Sequence, residues 1–344
     1  MVIIHGTLYR TISSIVLLCC LVLSACSISN QPAPNQTARV PQGPQGIFQP
    51  YTGPINHPVV TTGCGRVSPV TPGASINETI PANPAVSRGS STRTYRVHVP
   101  AAYQMNRPYP VVLVFHGAGG SAAGTESGTG FSGLAEQQGF IAVYPQGLLN
   151  GDGGRPFWAS AGPIDYGIDD VLFVSNILDD LQKRLCVDAQ RIYATGFSNG
   201  GGMSGFLACR LAGRIADFAP VSGNFYAPPG GCHPGRPVPI LDIHGTKDPI
   251  LPYAGIPVSE NPAWPLPSLP QWLQDWASRD GCTRGPVTFF QQSNVTGEQW
   301  TACQGNATVV HYRIEGGGHS WPRNIGSRSG AEVIWLFLQA YRLF

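Results

Sequence analysis

The chain has 344 residues, of which only 12% are charged, and a formal net charge of +2. That balance supplies neither the basic face of a nucleic-acid binder nor an acidic tail, and the sequence contains no internal repeat, phosphate-binding glycine loop or heptad run. The roughly 280 residues after position 61 suit a single α/β domain, and 43 glycines and 32 prolines point to a loop-rich chain.

In chain order, Met1 to Arg10 carries one arginine, Thr11 to Leu23 is a short apolar core, and Leu23-Ser24-Ala25-Cys26 has the small-residue pattern of a lipoprotein cleavage site. The apolar run is short for a span of about 20 residues. Residues 1–25 therefore read as a lipoprotein signal peptide, with Cys26 as the lipidated start of an exported cell-envelope protein. Residues 26–60, rich in Gln, Pro, Gly and Asn, read as a flexible tether, and 61–344 as the functional domain. The membrane is expected to be met through this lipid alone, and the domain to act as a monomer.

Within 61–344 the pattern alternates strand and helix, as a doubly wound, mostly parallel sheet requires. Thr94 to Val99 and Val111 to Phe115 read as strands, Phe131 to Gln138 as a helix, and Phe140 to Tyr144 as a strand. Asp169 and Asp170 begin a helix that ends near Leu185, and capping is the expected role of this pair. Arg191 to Thr195, Asp217 to Val221, Pro239 to Ile243 and Val309 to Ile314 read as later strands. Leu269 to Arg279 and Ala331 to Tyr341 complete the helices.

Four loops at the ends of these strands carry chemistry. Gly196-Phe197-Ser198-Asn199-Gly200 lies between a strand and a helix, the context in which G-x-S-x-G forms a nucleophile elbow with the Ser198 hydroxyl exposed at its tip. A carboxylate and then a histidine must follow in the chain. Asp248, in Gly245-Thr246-Lys247-Asp248-Pro249, and His319, in Gly316-Gly317-Gly318-His319, come in that order, each just after a strand. A developing oxyanion needs backbone donors. The amide of Asn199 is one candidate, and that of Ala118, in the loop His116-Gly117-Ala118-Gly119-Gly120, is the other, with Gly117 close behind. His116 and His244 read as loop-bracing histidines bonded to backbone rather than as catalytic groups.

Nine cysteines are present. Removing Cys19 and Cys20 with the signal and assigning Cys26 to lipid leaves six, an even number suited to an oxidising compartment and open to 15 pairings. No C-x-x-C or clustered histidine spacing indicates a metal, and acyl transfer by this machinery needs no cofactor.

Together these segments resemble the feruloyl esterase and polyhydroxybutyrate depolymerase group of α/β-hydrolases, which also contains esterase lipoproteins. Beyond the loops above, the resemblance is carried by Arg93-Thr94-Tyr95-Arg96-Val97-His98-Val99-Pro100, Ala142-Val143-Tyr144-Pro145-Gln146-Gly147, Ile168-Asp169-Asp170-Val171, Cys186-Val187-Asp188, Ala219-Pro220-Val221-Ser222-Gly223 and Ser320-Trp321-Pro322. It runs from about residue 62 to the C-terminus. Cys232 to Pro237 and Leu269 to Cys282 look most like secreted feruloyl esterases. The resemblance implies an α/β-hydrolase fold and serine esterase activity. It also favours pairing Cys64 with Cys186, Cys209 with Cys232, and Cys282 with Cys303.

By the same resemblance the expected substrates are feruloyl or related hydroxycinnamoyl esters of plant cell-wall polysaccharide, ahead of short polyesters such as polyhydroxybutyrate and of acetylated xylan. Trp158, Tyr226, Trp264 and Trp321 fall in loops that could border the cleft, and Trp158 and Trp321 are the candidates for contact with an aromatic acyl group. A binding lipoprotein on a hydrolase fold is the non-enzymatic alternative; its signature would be loss of a triad residue, and all three are present.

Overall fold

A run of seven apolar or aromatic residues with no polar alternation has no face to give to water, and Tyr109–Phe115 is buried at every position. The computed structural model describes residues 56–150, 154–159, 166–223, 231–262 and 265–344. Among these, strands β1 (Ala74–Pro81), β2 (Thr92–Val99), β3 (Tyr109–Phe115) and β4 (Ile141–Pro145) precede a small pair, β5 (Leu148–Leu149) and β6 (Pro156–Phe157). Strands β7 (Val187–Phe197), β8 (Asp217–Val221), β9 (Ile240–Gly245), β10 (Arg284–Gln292), β11 (Val295–Thr301) and β12 (Val309–Ile314) follow, and then the short pair β13 (Asn324–Ile325) and β14 (Arg328–Ser329). The helices are α1 (Ala122–Thr129), α2 (Phe131–Gln138), α3 (Asp170–Arg184), α4 (Asn199–Arg210), α5 (Leu269–Arg279) and α6 (Gly330–Leu338).

One ten-stranded sheet runs in the order β1-β2-β4-β3-β7-β8-β9-β12-β11-β10. Its centre, from β4 through β3, β7, β8 and β9 to β12, is parallel. Both flanks are antiparallel, β1-β2-β4 on one side and β12-β11-β10 on the other. Alternate residues of β3 feed two cores. Val111, Leu113 and Phe115 pack with side chains of α3, α4 and α5, while Val112 and Val114 pack with those of α1, α2 and α6. This is the α/β-hydrolase arrangement, a mostly parallel sheet covered on both faces.

Phe131–Gln138, Asp217–Val221, Leu269–Arg279 and Val309–Ile314 span the residues their sequence patterns indicate. The strand read as Arg191 to Thr195 is longer, because it pairs with β3 from Val187 onward. The last helix ends at Leu338 rather than Tyr341. Asp169 caps α3 by accepting from the Leu172 amide at 2.8 Å, the role expected of it. Asp170 does more: it is buried, and its Oδ1 lies 2.7 Å from Arg93 Nη2.

Disulfides join Cys64 to Cys186, Cys209 to Cys232, and Cys282 to Cys303, the pairings that the resemblance favours. Cys26, the rest of the signal and most of the tether lie outside the described residues, as do Tyr226 and Trp264.

Candidate active site

Strand β7 ends at Phe197 and α4 begins at Asn199, so the whole reversal falls on Ser198, whose φ of 56° and ψ of −123° are strained for a residue with a side chain. The strain is held from both sides: the Ser198 amide donates to Val221 O at 2.9 Å and the Gly202 amide to Ser198 O at 2.9 Å. A Cβ at Gly196 would overlap the Gly200 carbonyl, and one at Gly200 would overlap the carbonyl of Phe115. Both glycines are thus required by close backbone approach, the second because the elbow rests directly on the end of β3.

The loops after β9 and β12 are laced together. Lys247 N donates to Gly317 O at 2.8 Å, Thr246 N to Ile314 O at 3.0 Å, and Gly316 N to Thr246 Oγ1 at 2.9 Å. This lacing brings Asp248 and His319 side by side over the elbow. His319 Nδ1 lies 2.7 Å from Asp248 Oδ2, and its Nε2 lies 2.8 Å from Ser198 Oγ. An ionised carboxylate only accepts, so Nδ1 carries the proton and Nε2 accepts from the serine hydroxyl. Phe197 supports the imidazole, with ring centroids 4.9 Å apart.

Asp248 is only 4% exposed, and both its oxygens are occupied. Oδ1 accepts from the amides of Ile250 and Leu251, each at 2.8 Å, while Oδ2 faces His319 and, at 3.3 Å, His244 Nε2. Burial raises the pKa of this carboxyl, but the bonds from His244, Leu251, His319 and Ile250 together outweigh it and hold the group well below the ordinary carboxylate range.

On the other side of Ser198 lies the loop after β3. A Cβ built at Gly117 would come 3.3 Å from that of Ser198, which places this loop against the nucleophile. The Gly119 amide donates to Pro156 O at 2.7 Å and that of Gly120 to Gly117 O at 2.9 Å, with exposed Ala118 between Gly117 and these two. His116 braces the turn: its Nδ1 donates to Gly117 O at 2.8 Å, and its Nε2 accepts from Gly147 N at 2.9 Å. Burial holds its pKa down, which keeps the ring neutral and fits this tautomer.

Trp158 is not a stacking surface. Its side chain is fully buried, Nε1 donates to His116 O at 2.9 Å, and the ring meets Phe115 edge-on at 5.1 Å. The expectation of substrate contact there is corrected, because no face of the indole reaches the cleft. Trp321 is half-buried and packs edge-to-face on Phe131 at 6.3 Å, which leaves part of it accessible.

Behind the elbow runs a polar chain that no catalytic motif marks. The side chain of Asn199 accepts from Trp158 N at 2.7 Å and donates to Trp158 O at 3.1 Å. Ala159 N donates to Asp170 Oδ2 at 2.7 Å, and Asp170 holds buried Arg93, whose guanidinium lies 3.7 Å over the Phe173 ring. The loop beside the oxyanion candidates is thereby anchored to α3 and β2. The Asp pair ahead of α3 was the visible signal. Among the described residues no group of three or more His, Cys, Asp or Glu side chains could hold a metal.

Comparison with known proteins agrees with this architecture. The family described as Esterase PHB depolymerase matches residues 93–245. Feruloyl esterase B of Piromyces equi is 33% identical over 229 residues, 65% of this chain but only 42% of that protein. The putative esterase NocK of Nocardia uniformis subsp. tsuyamanensis is 30% identical over 250 residues, 67% of this chain and 71% of the relative. Feruloyl esterase C of Emericella nidulans is 29% identical over 305 residues, covering 86% and 95% of the two chains. Acetyl xylan esterase from Aspergillus awamori shares the fold, with a TM-score of 0.52 at 16% identity over 71% of this chain and 94% of that one. A catalytic-type elbow on a covered parallel sheet, with this sequence similarity across it, assigns the chain to the esterase PHB depolymerase family of α/β-hydrolases, alongside the feruloyl esterases.

Proposed function

We propose that the protein is an exported serine esterase that hydrolyses carboxylic esters through an acyl-enzyme. The observation that carries this reading is the continuous run from Ser198 Oγ through His319 to Asp248, at 2.8 and 2.7 Å. Ser198 Oγ attacks the ester carbonyl while His319 Nε2 takes its proton, and the ionised Asp248 holds the imidazole tautomer and stabilises the imidazolium. The amides of Asn199 and Ala118 receive the oxyanion, each contributing about 3 kcal/mol to the transition state. His319 then gives its proton to the departing alkoxide oxygen, which leaves as the alcohol. Water, deprotonated by the same ring, adds to the acyl carbon, and collapse returns the proton to Ser198 as the free acid leaves.

The substrate we propose is a feruloyl or related hydroxycinnamoyl ester of cell-wall polysaccharide. Its support is similarity to proteins named feruloyl esterases, at 33% and 29% identity, together with the accessible part of Trp321 near the catalytic histidine in sequence. Three disulfides fit an oxidising compartment, and Cys26 is proposed as the lipid attachment point of a monomeric enzyme. Parallel kcat/KM measurements on methyl ferulate, 3-hydroxybutyrate oligomers and acetylated xylan test the substrate. Methyl ferulate is expected to be preferred by about tenfold or more, a difference of roughly 1.4 kcal/mol in transition-state binding. A preference for either competitor contradicts the feruloyl assignment while leaving the esterase reading intact.

A further inference from the structure

The oxygen of Asp248 that faces the catalytic histidine faces a second imidazole as well. His244, at the end of β9, is completely buried. Its Nε2 lies 2.9 Å from Leu251 O and 3.3 Å from Asp248 Oδ2. Both neighbours are acceptors, so Nε2 must carry a proton, which it donates to the Leu251 carbonyl while the ring N–H stands within ion-pair distance of the Asp248 carboxylate. Leu251 is also the residue whose amide donates to Asp248 Oδ1. One ring therefore ties together the carboxylate and the turn that cradles it.

We propose that His244 is a positioning residue for the ester hydrolysis proposed above, acting through Asp248 rather than touching substrate. It sets a second ring N–H 3.3 Å from Oδ2, where its positive edge favours the carboxylate orientation that faces His319. It also draws off part of the negative charge that His319 would otherwise meet.

The surroundings of His244 suit that role. Asp242 precedes it by two residues on β9, the same face of a strand. On β12, His311 pairs with Asp242 and Arg313 with His244 in the parallel register. His311 Nδ1 lies 2.8 Å from Asp242 Oδ2 and its Nε2 lies 3.0 Å from Tyr253 Oη, while the Tyr253 ring stands edge-on to His244 at 6.1 Å. Asp242, Asp248, Tyr253, His311 and Arg313 are thus the ionisable groups around the ring. Burial works against a charge on His244, but Asp248 and then Asp242 outweigh it and raise its pKa above the ordinary histidine value. A loop brace could be satisfied by the Leu251 carbonyl alone. The 3.3 Å contact with Asp248 gives the residue a consequence for chemistry.

The test compares His244→Phe and His244→Gln in the full chain, with Tm measured on each. Phenylalanine keeps the ring volume and removes the donor, whereas glutamine returns an N–H near the position of Nε2. Without the donor, Asp248 becomes a stronger acceptor and stabilises the imidazolium of His319, so the acid limb of kcat/KM moves to higher pH. For His244→Phe the proposal expects kcat to fall about tenfold with KM within about twofold, and the acid limb to rise by about half a pH unit. For His244→Gln it expects both to return most of the way to wild type. A folded His244→Phe protein whose acid limb does not move overturns the proposal, and so does a folded His244→Gln protein as impaired as His244→Phe. His319→Ala separates the two levels. If it retains turnover, the triad itself fails; if it is inactive while His244→Phe matches wild type, only the positioning role fails.

Discussion

A tryptophan beside a catalytic loop invites a role in binding aromatic acyl groups, yet Trp158 has its indole N–H bonded to the His116 carbonyl and no exposed surface. Replacing it with phenylalanine leaves that carbonyl without its donor and opens a small void. The expected cost is about 1–3 kcal/mol, read from urea unfolding. The ratio of kcat/KM on methyl ferulate to that on a methyl acetate ester should stay within about twofold, because an interior ring cannot distinguish acyl groups by stacking. A selective loss on the ferulate would restore the discarded contact. Ser198, Asp248 and His319 were legible because their spacing and chain order encode strand ends, and strand ends share one rim of a parallel sheet. Trp158 was not, since nothing in a local segment says whether an aromatic side chain turns inward. The Asn199 side chain was equally hidden, as its partner is 41 residues away.

Among the elements, those covered on both faces were the readable ones. Asp217–Val221 is wholly buried, and Phe218, Ala219 and Val221 mark it as an interior strand in spite of Asp217 and Pro220. The antiparallel flanks are different: β10, Arg284–Gln292, is exposed at nearly every position, contains Pro286, and departs from regular register with β11 twice. No periodicity survives in such an edge strand. Helix α1 was missed for a related reason, because Ala122–Thr129 buries only Ala122 and starts from a Ser121 cap rather than from an apolar stripe. The disulfides stabilise elements of unequal reach. Cys64–Cys186 ties the segment before β1 to the head of β7 across 122 residues, whereas Cys282–Cys303 spans 21. Chain-entropy arguments assign about 5 kcal/mol to the first and about 3 to the second. Paired Cys→Ala substitutions should therefore lower stability more at Cys64 and Cys186. The reverse order would indicate that the denatured chain is already compact around that crosslink.

At the level of the whole molecule, folding conceals acids that have poor substitutes for water. Asp280 follows α5, accepts from the Val238 amide at 2.9 Å, and is pushed up to about 7 by burial, against which that bond and Arg279 act only partly. Asp217 is fully buried as well, and burial raises it well above the ordinary value despite attraction from Arg236. For a carboxyl with a raised folded pKa, the native state holds the proton more tightly than the unfolded chain. For Asp280 the associated stability is complete below about pH 4 and is lost as pH climbs through about 7. Asp248 has the opposite sign, and its contribution disappears only at acid pH. Asp280→Asn keeps an oxygen for the Val238 amide and removes the titration. Its Tm relative to wild type should be higher at pH 8 than at pH 5; an equal difference at the two values would show that Asp280 does not titrate across this range.

The proposed ester hydrolysis depends above all on activation of the Ser198 hydroxyl by His319 and on acylation of that hydroxyl. A fluorophosphonate probe reports this directly, because phosphonylation requires an activated serine and leaves a mass tag on the peptide that carries it. One tag per chain is expected, located on Ser198, absent from Ser198→Ala and slowed about a thousandfold or more in His319→Ala, in line with loss of a triad base. Rapid labelling at another residue, or labelling of Ser198 at an undiminished rate without His319, would contradict it.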